Sequence, residues 1–138
     1  MEFYKTYIGT KIIKASISER QGPDGQFGYD VLYPDGYKSW SPCDAFEEAY
    51  RECNAMTFGL ALEAMKKEQY VQREGWNGKG LKLALVGEGG CYEHGMSEVS
   101  TLPYIVLVYP QESKTTPNAI VPWLASQTDM LAEDWRIV

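Results

Sequence analysis

Turn signals constrain the first part of this chain more than any other feature. Gly22-Pro23-Asp24-Gly25 and Pro34-Asp35-Gly36 follow one another closely. In each, proline presets φ and a glycine can take the left-handed conformation. Only short elements fit around such breaks. Ile13, Ala15 and Ile17 alternate with polar neighbours over 11–17, apart from Ile12, as in a half-buried strand. Residues 29–33 and 37–40 read as the second and third strands. Ser41-Pro42-Cys43-Asp44 then opens a helix. Ser41 can cap it, Pro42 suits its first position and Asp44 favours its positive end. Phe46, Ala49, Tyr50 and Cys53 recur at helical spacing as one buried stripe. Residues 1–53 are therefore expected to form a small β-rich module closed by a helix, with Asn54-Ala55-Met56 as the boundary.

The remainder, 55–138, alternates short helices with short strands. Thr57 caps a helix in which Phe58, Ala61, Leu62 and Met65 share a face, with Glu63 and Lys67 as an i, i+4 pair on the other side. Strands are expected at 70–74, 81–86, 104–109, 120–121 and 134–138. A glycine-rich loop covers 87–95 and a polar one 110–118. A compact helix falls at 126–132, where Ser126 and Asp129 make a cap signal. The expected fold class is α+β, an antiparallel sheet with short helices.

Composition narrows function mainly by exclusion. The 138 residues suffice for one domain, or two very small ones. A net charge of −6 and a pI of about 4.8 repel a phosphate polymer, which argues against a nucleic-acid polymer as partner. A small anion held by local Arg or Lys is not excluded. No apolar run approaches the ~20 residues that span a bilayer. The start, Met-Glu-Phe-Tyr-Lys-Thr, lacks the basic and apolar regions of a signal peptide. A cytoplasmic protein with no membrane partner is expected. Cys43 and Cys53, on one expected helix, would stand ~15 Å apart, too far to pair. With Cys91 as a singleton, reduced thiols are expected. The single histidine, His94, rules out a paired-histidine metal site, and Cys91, Glu93 and His94 make only a partial ligand set. Nothing in the Ser or Asp spacing supports a triad around His94. No metal, cofactor or catalytic residue is expected. Ten Tyr, four Trp and four Phe suit binding surfaces as well as cores.

Two segments carry residue types that hold small ligands. Gly75-Trp76-Asn77-Gly78-Lys79-Gly80 lacks the spacing of a Walker A loop. Its glycines would still let backbone N–H groups approach an anion, Lys79 supplies charge and Trp76 offers a face for a base. It reads equally as a tight turn with the Trp folded into the core. In Pro122-Trp123-Leu124-Ala125-Ser126-Gln127-Thr128-Asp129-Met130-Leu131 an aromatic precedes short polar groups at a helix start. Those groups could meet ribose hydroxyls or base edges, or cap the helix and nothing more. Glu88, Glu93, Asp129, Glu133 and Asp134 could serve a hydrolase only as a pair at a set separation, which sequence does not supply.

Together with Met56-Thr57-Phe58-Gly59-Leu60-Ala61-Leu62-Glu63, the stretch from Arg73 to Gly80 and that from Ile120 to Trp135 resemble the Thoeris anti-defence protein 2 family. The resemblance spans about 55–138. It implies a phage protein acting in the cytoplasm of the infected bacterium. Such a protein sequesters the cyclic ADP-ribose isomers made by TIR enzymes, glycocyclic ADP-ribose among them, without catalysis. It further implies a homotetramer with ligand pockets at subunit interfaces, and cyclic di- or oligonucleotides held by some members at separate sites. Carried over by motif, Trp76, Asn77, Lys79, Trp123, Ser126, Thr128 and Asp129 become ligand-binding candidates, followed by Phe58 and Arg73. Glu74 stands where a basic residue is common in the family, and the loop at 87–101 follows no recognised pattern. Residues 1–53 lie outside the family domain. Their Tyr33-Pro34-Asp35-Gly36-Tyr37 and Ser39-Trp40-Ser41-Pro42 look like a module at the front of other phage proteins. Two readings from other classes remain. A hydrolase acting on the cyclic nucleotide needs a convergent carboxylate pair, and a phage structural or adaptor protein needs an exposed apolar patch.

Overall fold

A computed structural model describes residues 4–76, 79–87 and 101–138. The chain divides into two compact units, Met1–Arg51 and Glu52–Val138, each with its own antiparallel sheet. Among the described residues no helix is long and apolar enough to cross a membrane.

The first unit is a meander of β1 (Lys14–Ile17), β2 (Gly28–Leu32) and β3 (Lys38–Pro42), followed by α1 (Cys43–Ala49). Both connections form as the turn residues dictate. Gly25 N–H donates to Gly22 O at 2.9 Å with Gly25 at φ +71, and Gly36 N–H donates to Tyr33 O at 2.9 Å with Gly36 at φ +90. α1 lies across β2 and β3. There Phe46 stacks between Tyr29 and Tyr50, with ring centroids 4.1 and 5.0 Å apart, and Val31 is buried.

Three local expectations are corrected here. β1 has no buried side, and Ile17 is 74% exposed, because one seven-residue helix covers only β2 and β3. Ser41 does not cap α1. β3 runs directly into the helix, Pro42 takes the N-cap position, and the Ser41 hydroxyl bonds Pro42 O instead. The helix also stops early, since Tyr50 is extended at φ −128 and ψ 150. Ala49 and Cys53 are consequently exposed, and Cys43 and Cys53, both free thiols, do not share a helix.

Trp40 lays its ring over Gly22 and Gly28. A Cβ at Gly28 would overlap both that ring and the Ser41 carbonyl oxygen, which is backbone and cannot swing aside. Gly28→Ala is therefore expected to destabilise the first unit by about 1–3 kcal/mol. Thermal unfolding checks this, with Gly9→Ala, where a Cβ meets nothing, as the neutral control.

In the second unit α2 (Phe58–Lys66) precedes β4 (Val71–Arg73), which leads into a 3-10 turn at Glu74–Trp76. Then come β5 (Lys82–Val86), β6 (Tyr104–Val108), β7 (Ile120–Pro122), α3 (Gln127–Leu131) and β8 (Trp135–Ile137). The sheet order is β7-β6-β5-β4-β8, so the last strand closes beside β4. Val71 pairs with both Leu83 and Ile137, and Leu83 with Leu107. Paired residues share a side of the sheet. α2 packs against β4, β5 and β8, and the core joins its Ala61, Ala64 and Met65 to Met56, Val71, Leu83 and Trp135. These elements fall within a residue or two of the expected ones, so the α+β class holds.

The caps here are local and legible. Thr57 Oγ1 accepts from Leu60 N–H at 3.3 Å. α2 ends with Glu68 at φ 63, where Glu68 N–H donates to Met65 O at 3.0 Å and Gln69 N–H to Ala64 O at 3.1 Å. These bonds satisfy carbonyls of the last turn. Glu63 pairs with Lys66 at 3.3 Å, an i, i+3 contact on the exposed side of α2.

Candidate functional site

β8 opens with Trp135, whose side chain is fully buried. Its indole Nε1–H donates to Asp129 O at 3.0 Å, and its backbone exchanges hydrogen bonds of 2.8 and 3.2 Å with Met56. Three half-buried rings surround it. Phe58, at the start of α2, lies 5.4 Å away between centroids. Trp76, from the 3-10 turn, meets it at 5.6 Å and 78°, and Trp123, just past β7, at 6.0 Å and 84°. Trp76 and Trp123 also meet each other at 6.3 Å and 68°. Edge-to-face packing sets the positive rim of one ring against the negative face of the next. The outer three rings thus keep part of their surface in solvent while the central ring holds their angles.

Beside the rings runs a polar network centred on Arg73, the last residue of β4. Its Nε donates to Asp134 Oδ1 at 2.9 Å and its Nη1 to Asp129 Oδ1 at 3.0 Å. Gly75 N–H donates to Asp134 Oδ2 at 3.2 Å. Asp129 Oδ2 accepts from Ser126 N–H at 3.1 Å and from Ser126 Oγ at 2.7 Å, while Asp129 N–H donates to Ser126 Oγ at 3.1 Å. This is a capping box at the start of α3. The Ser126 hydroxyl proton is spent on Asp129, so Thr128 is the donor in its 2.9 Å contact with Ser126 Oγ. Thr128 keeps its lone pairs for another partner.

The carboxyl groups are electrostatically set by this network. Burial alone would push Asp129 up, but hydrogen bonds from Ser126 and the Arg73 guanidinium outweigh it and hold the group below the ordinary carboxylate range. Asp134 behaves alike: burial pushes up, while Arg73 and the Gly75 N–H pull down further. Arg73 is raised in turn, chiefly by its bond to Asp134. A carboxyl group held ionised in this way is a poor proton donor near neutral pH. Arg73 Nη2 has no partner among the described residues and remains a donor for an incoming oxygen.

Of the residues singled out from sequence, Phe58, Trp76 and Trp123 fall in the ring group. Arg73, Ser126, Thr128 and Asp129 fall in the network beside it. Asp129 links the two, through its carbonyl to Trp135 and its carboxylate to Arg73. Lys79 lies apart. Its N–H donates to Trp76 O at 3.4 Å, yet the residue lines a cavity of about 440 Å³ with Leu81, Tyr109, Pro110 and Glu112, to which no member of the ring group contributes. Asn77 is outside the described residues, as are Glu88, Cys91, Glu93 and His94. Among the described residues no cluster is placed to hold a metal ion. Sequence reasoning leaves Trp135 out of the ligand-binding candidates and weighs Asp134 only as a hydrolase carboxylate, not as the partner of Arg73. The alternation in Trp135-Arg136-Ile137 signals a buried Trp; nothing local signals that Asp134 meets a residue 61 positions away.

The Tad2-like family model, a Thoeris anti-defense 2-like domain, matches residues 56–138, the span that holds every group of this site. A protein of Bacillus phage SP01 named Thoeris anti-defense 2 is 40% identical over 89 residues, which cover 60% of this chain and 94% of that protein.

Proposed function

The chain belongs to the Thoeris anti-defense 2-like family, and on that premise we propose that it is a phage anti-defence protein that sequesters TIR-derived cyclic ADP-ribose isomers without converting them. The observation that carries this reading is the juxtaposition of half-buried Phe58, Trp76 and Trp123 with Thr128 and Arg73 Nη2. Such a site offers flat faces to adenine, an acceptor to a ribose hydroxyl and a cationic donor to a phosphate. The two aspartates beside it are kept ionised, Asp129 by Ser126 and then Arg73, Asp134 by Arg73 and then the Gly75 N–H, which suits them to hold the site together and not to act as general acids.

A protein that does not turn over must bind tightly. Nanomolar affinity corresponds to about −12 kcal/mol. One stacked aromatic supplies ~1–3 kcal/mol. The remainder has to come from buried polar contacts in a closed, preorganised pocket. Ile120, Val121, Leu124, Met130 and Leu131 flank Trp123 in the chain and are exposed, Leu124 by 91% and Leu131 by 77%. This apolar surface fits a homotetramer in which another copy closes the pocket. Cyclic di- or oligonucleotides would occupy a separate site, for which the cavity at Lys79 is the candidate. The place of action would be the cytoplasm of the infected bacterium.

Incubation with a TIR-derived cyclic ADP-ribose isomer, removal of free ligand and heat denaturation is expected to release the intact isomer. A linear or cleaved product would establish a hydrolase instead. Trp76→Ala is expected to weaken binding roughly ten- to hundredfold and Trp76→Phe less, with assembly unchanged. Wild-type affinity in folded Trp76→Ala would remove Trp76 from the pocket.

A further inference from the structure

Outside the family domain, one side of the β1-β2-β3 sheet holds a groove of about 740 Å³, a volume within the range of small-molecule sites. Register accounts for five of its lining residues, beside Ala15, Val31, Ser39 and Arg20. Lys14 and Lys38 both pair with Leu32, and Ser16 with Asp30, so all five leave the same side of the sheet. With strands ~4.8 Å apart, the two lysines stand roughly 10 Å apart at their Cα atoms with Leu32 between them. Trp40, the partner of Asp30 in β3, seats its ring on Gly28, beyond Asp30.

The charge on this face is unbalanced. Asp30 is already engaged by Arg20, with Arg20 Nη2 to Asp30 Oδ1 at 3.1 Å. Neither Lys14 nor Lys38 has a carboxylate partner among the described residues, in a chain whose net charge is −6. Both lysines are exposed, so this face presents two positive charges within reach of one dianion. An apolar residue between them, with hydroxyl and carboxylate groups one row away, is a mixed surface suited to a phosphorylated organic molecule more than to a bare ion.

We propose that this groove is a binding site, separate from that of the family domain, for a small organic phosphate carrying at least two negative charges. Its phosphate groups bridge Lys14 and Lys38, its organic part lies over Leu32, and the second oxygen of Asp30 accepts from a ligand hydroxyl. The first unit is then a ligand-binding module in its own right.

Titration of the full chain with ADP at low salt, followed by amide NMR, tests this. Shifts are expected at 14–16, 30–32 and 38–39. Lys14→Gln and Lys38→Gln, which remove the charge and keep a polar side chain one atom shorter, should each weaken ADP at these positions at least tenfold. Lys5→Gln should not. Inorganic pyrophosphate should bind there more weakly than ADP. No shifts at these positions, shifts indifferent to both lysine substitutions, or equal binding of pyrophosphate would each overturn the proposal. Capture of cyclic ADP-ribose isomers should be the same in Lys14→Gln and Lys38→Gln as in the unaltered chain, so this result stands or falls apart from the function proposed for the second unit.

Discussion

Trp135→Ala is expected to cost about 3–5 kcal/mol and to leave the second unit largely unfolded under conditions where the unaltered protein is folded. The ring is fully buried and touches Phe58, Trp76 and Trp123. Its removal deletes the centre of the aromatic group and leaves the Asp129 carbonyl without its indole donor. Domains of this size have total stabilities of about 5–15 kcal/mol, so a loss of this order is a large share. Trp135→Phe keeps a ring but not the donor and should fall between the two. Denaturant unfolding reads the effect directly. Trp76→Ala provides the contrast, because a half-buried ring contributes less to stability and, on the proposed function, more to affinity. An unchanged midpoint in Trp135→Ala would mean that the outer rings hold their places without it.

Arg73→Met should destabilise the second unit by roughly 2–3 kcal/mol, since it leaves two partly buried carboxylates without their shared cation. The effect has a defined pH dependence. Asp129 and Asp134 are held below the ordinary carboxylate range in the folded chain. The unfolded chain therefore binds protons first as pH falls, and the stabilisation is fully present above the unfolded values, near pH ~4. It is lost as pH falls further, through the lowered values of the folded state. Unfolding midpoints from about pH 7 down to 3 should converge for the unaltered protein and Arg73→Met, with the widest gap near neutrality. A gap that does not change with pH would refute the ion-pair account. Asp129→Asn separates scaffold from pocket. On the contacts seen, it weakens both the capping box and the pair with Arg73, about 1–3 kcal/mol of stability, with little change in affinity. Lost affinity with full stability would place its carboxylate on the ligand.

Features decided within a few residues were legible in the sequence. Gly25 and Gly36 take positive φ where the turn motifs put them, and Thr57 and Ser126 cap the helices they precede. The strands of the second unit fall on the short apolar runs that mark them. Backbone sterics and side chain–backbone bonds over three or four positions leave little to tertiary context. The first unit departs from this because burial depends on what is available to cover a strand. β1 alternates correctly, yet the short α1 does not reach it, so Ile17 stays exposed. Ser41 had the chemistry of a cap but sits inside β3, where the ladder dictates its backbone. The site divides in the same way. That Trp76 and Trp123 offer aromatic faces and Ser126 and Thr128 short hydroxyls was readable from the sequence. Whether Trp76 faced the core or solvent was not, and the structure gives it both, an edge against Trp135 and part of its surface outside. That Arg73 would be shared between Asp129 and Asp134 was hidden, because it follows from the closing of β8 beside β4. That pairing sets Arg73 opposite Trp135, and so brings the aromatic centre and the ion pairs to one place. Caps and turns are short-range and the sequence alone determines them; which charge meets which ring depends on the order of strands, and only the folded sheet decides that.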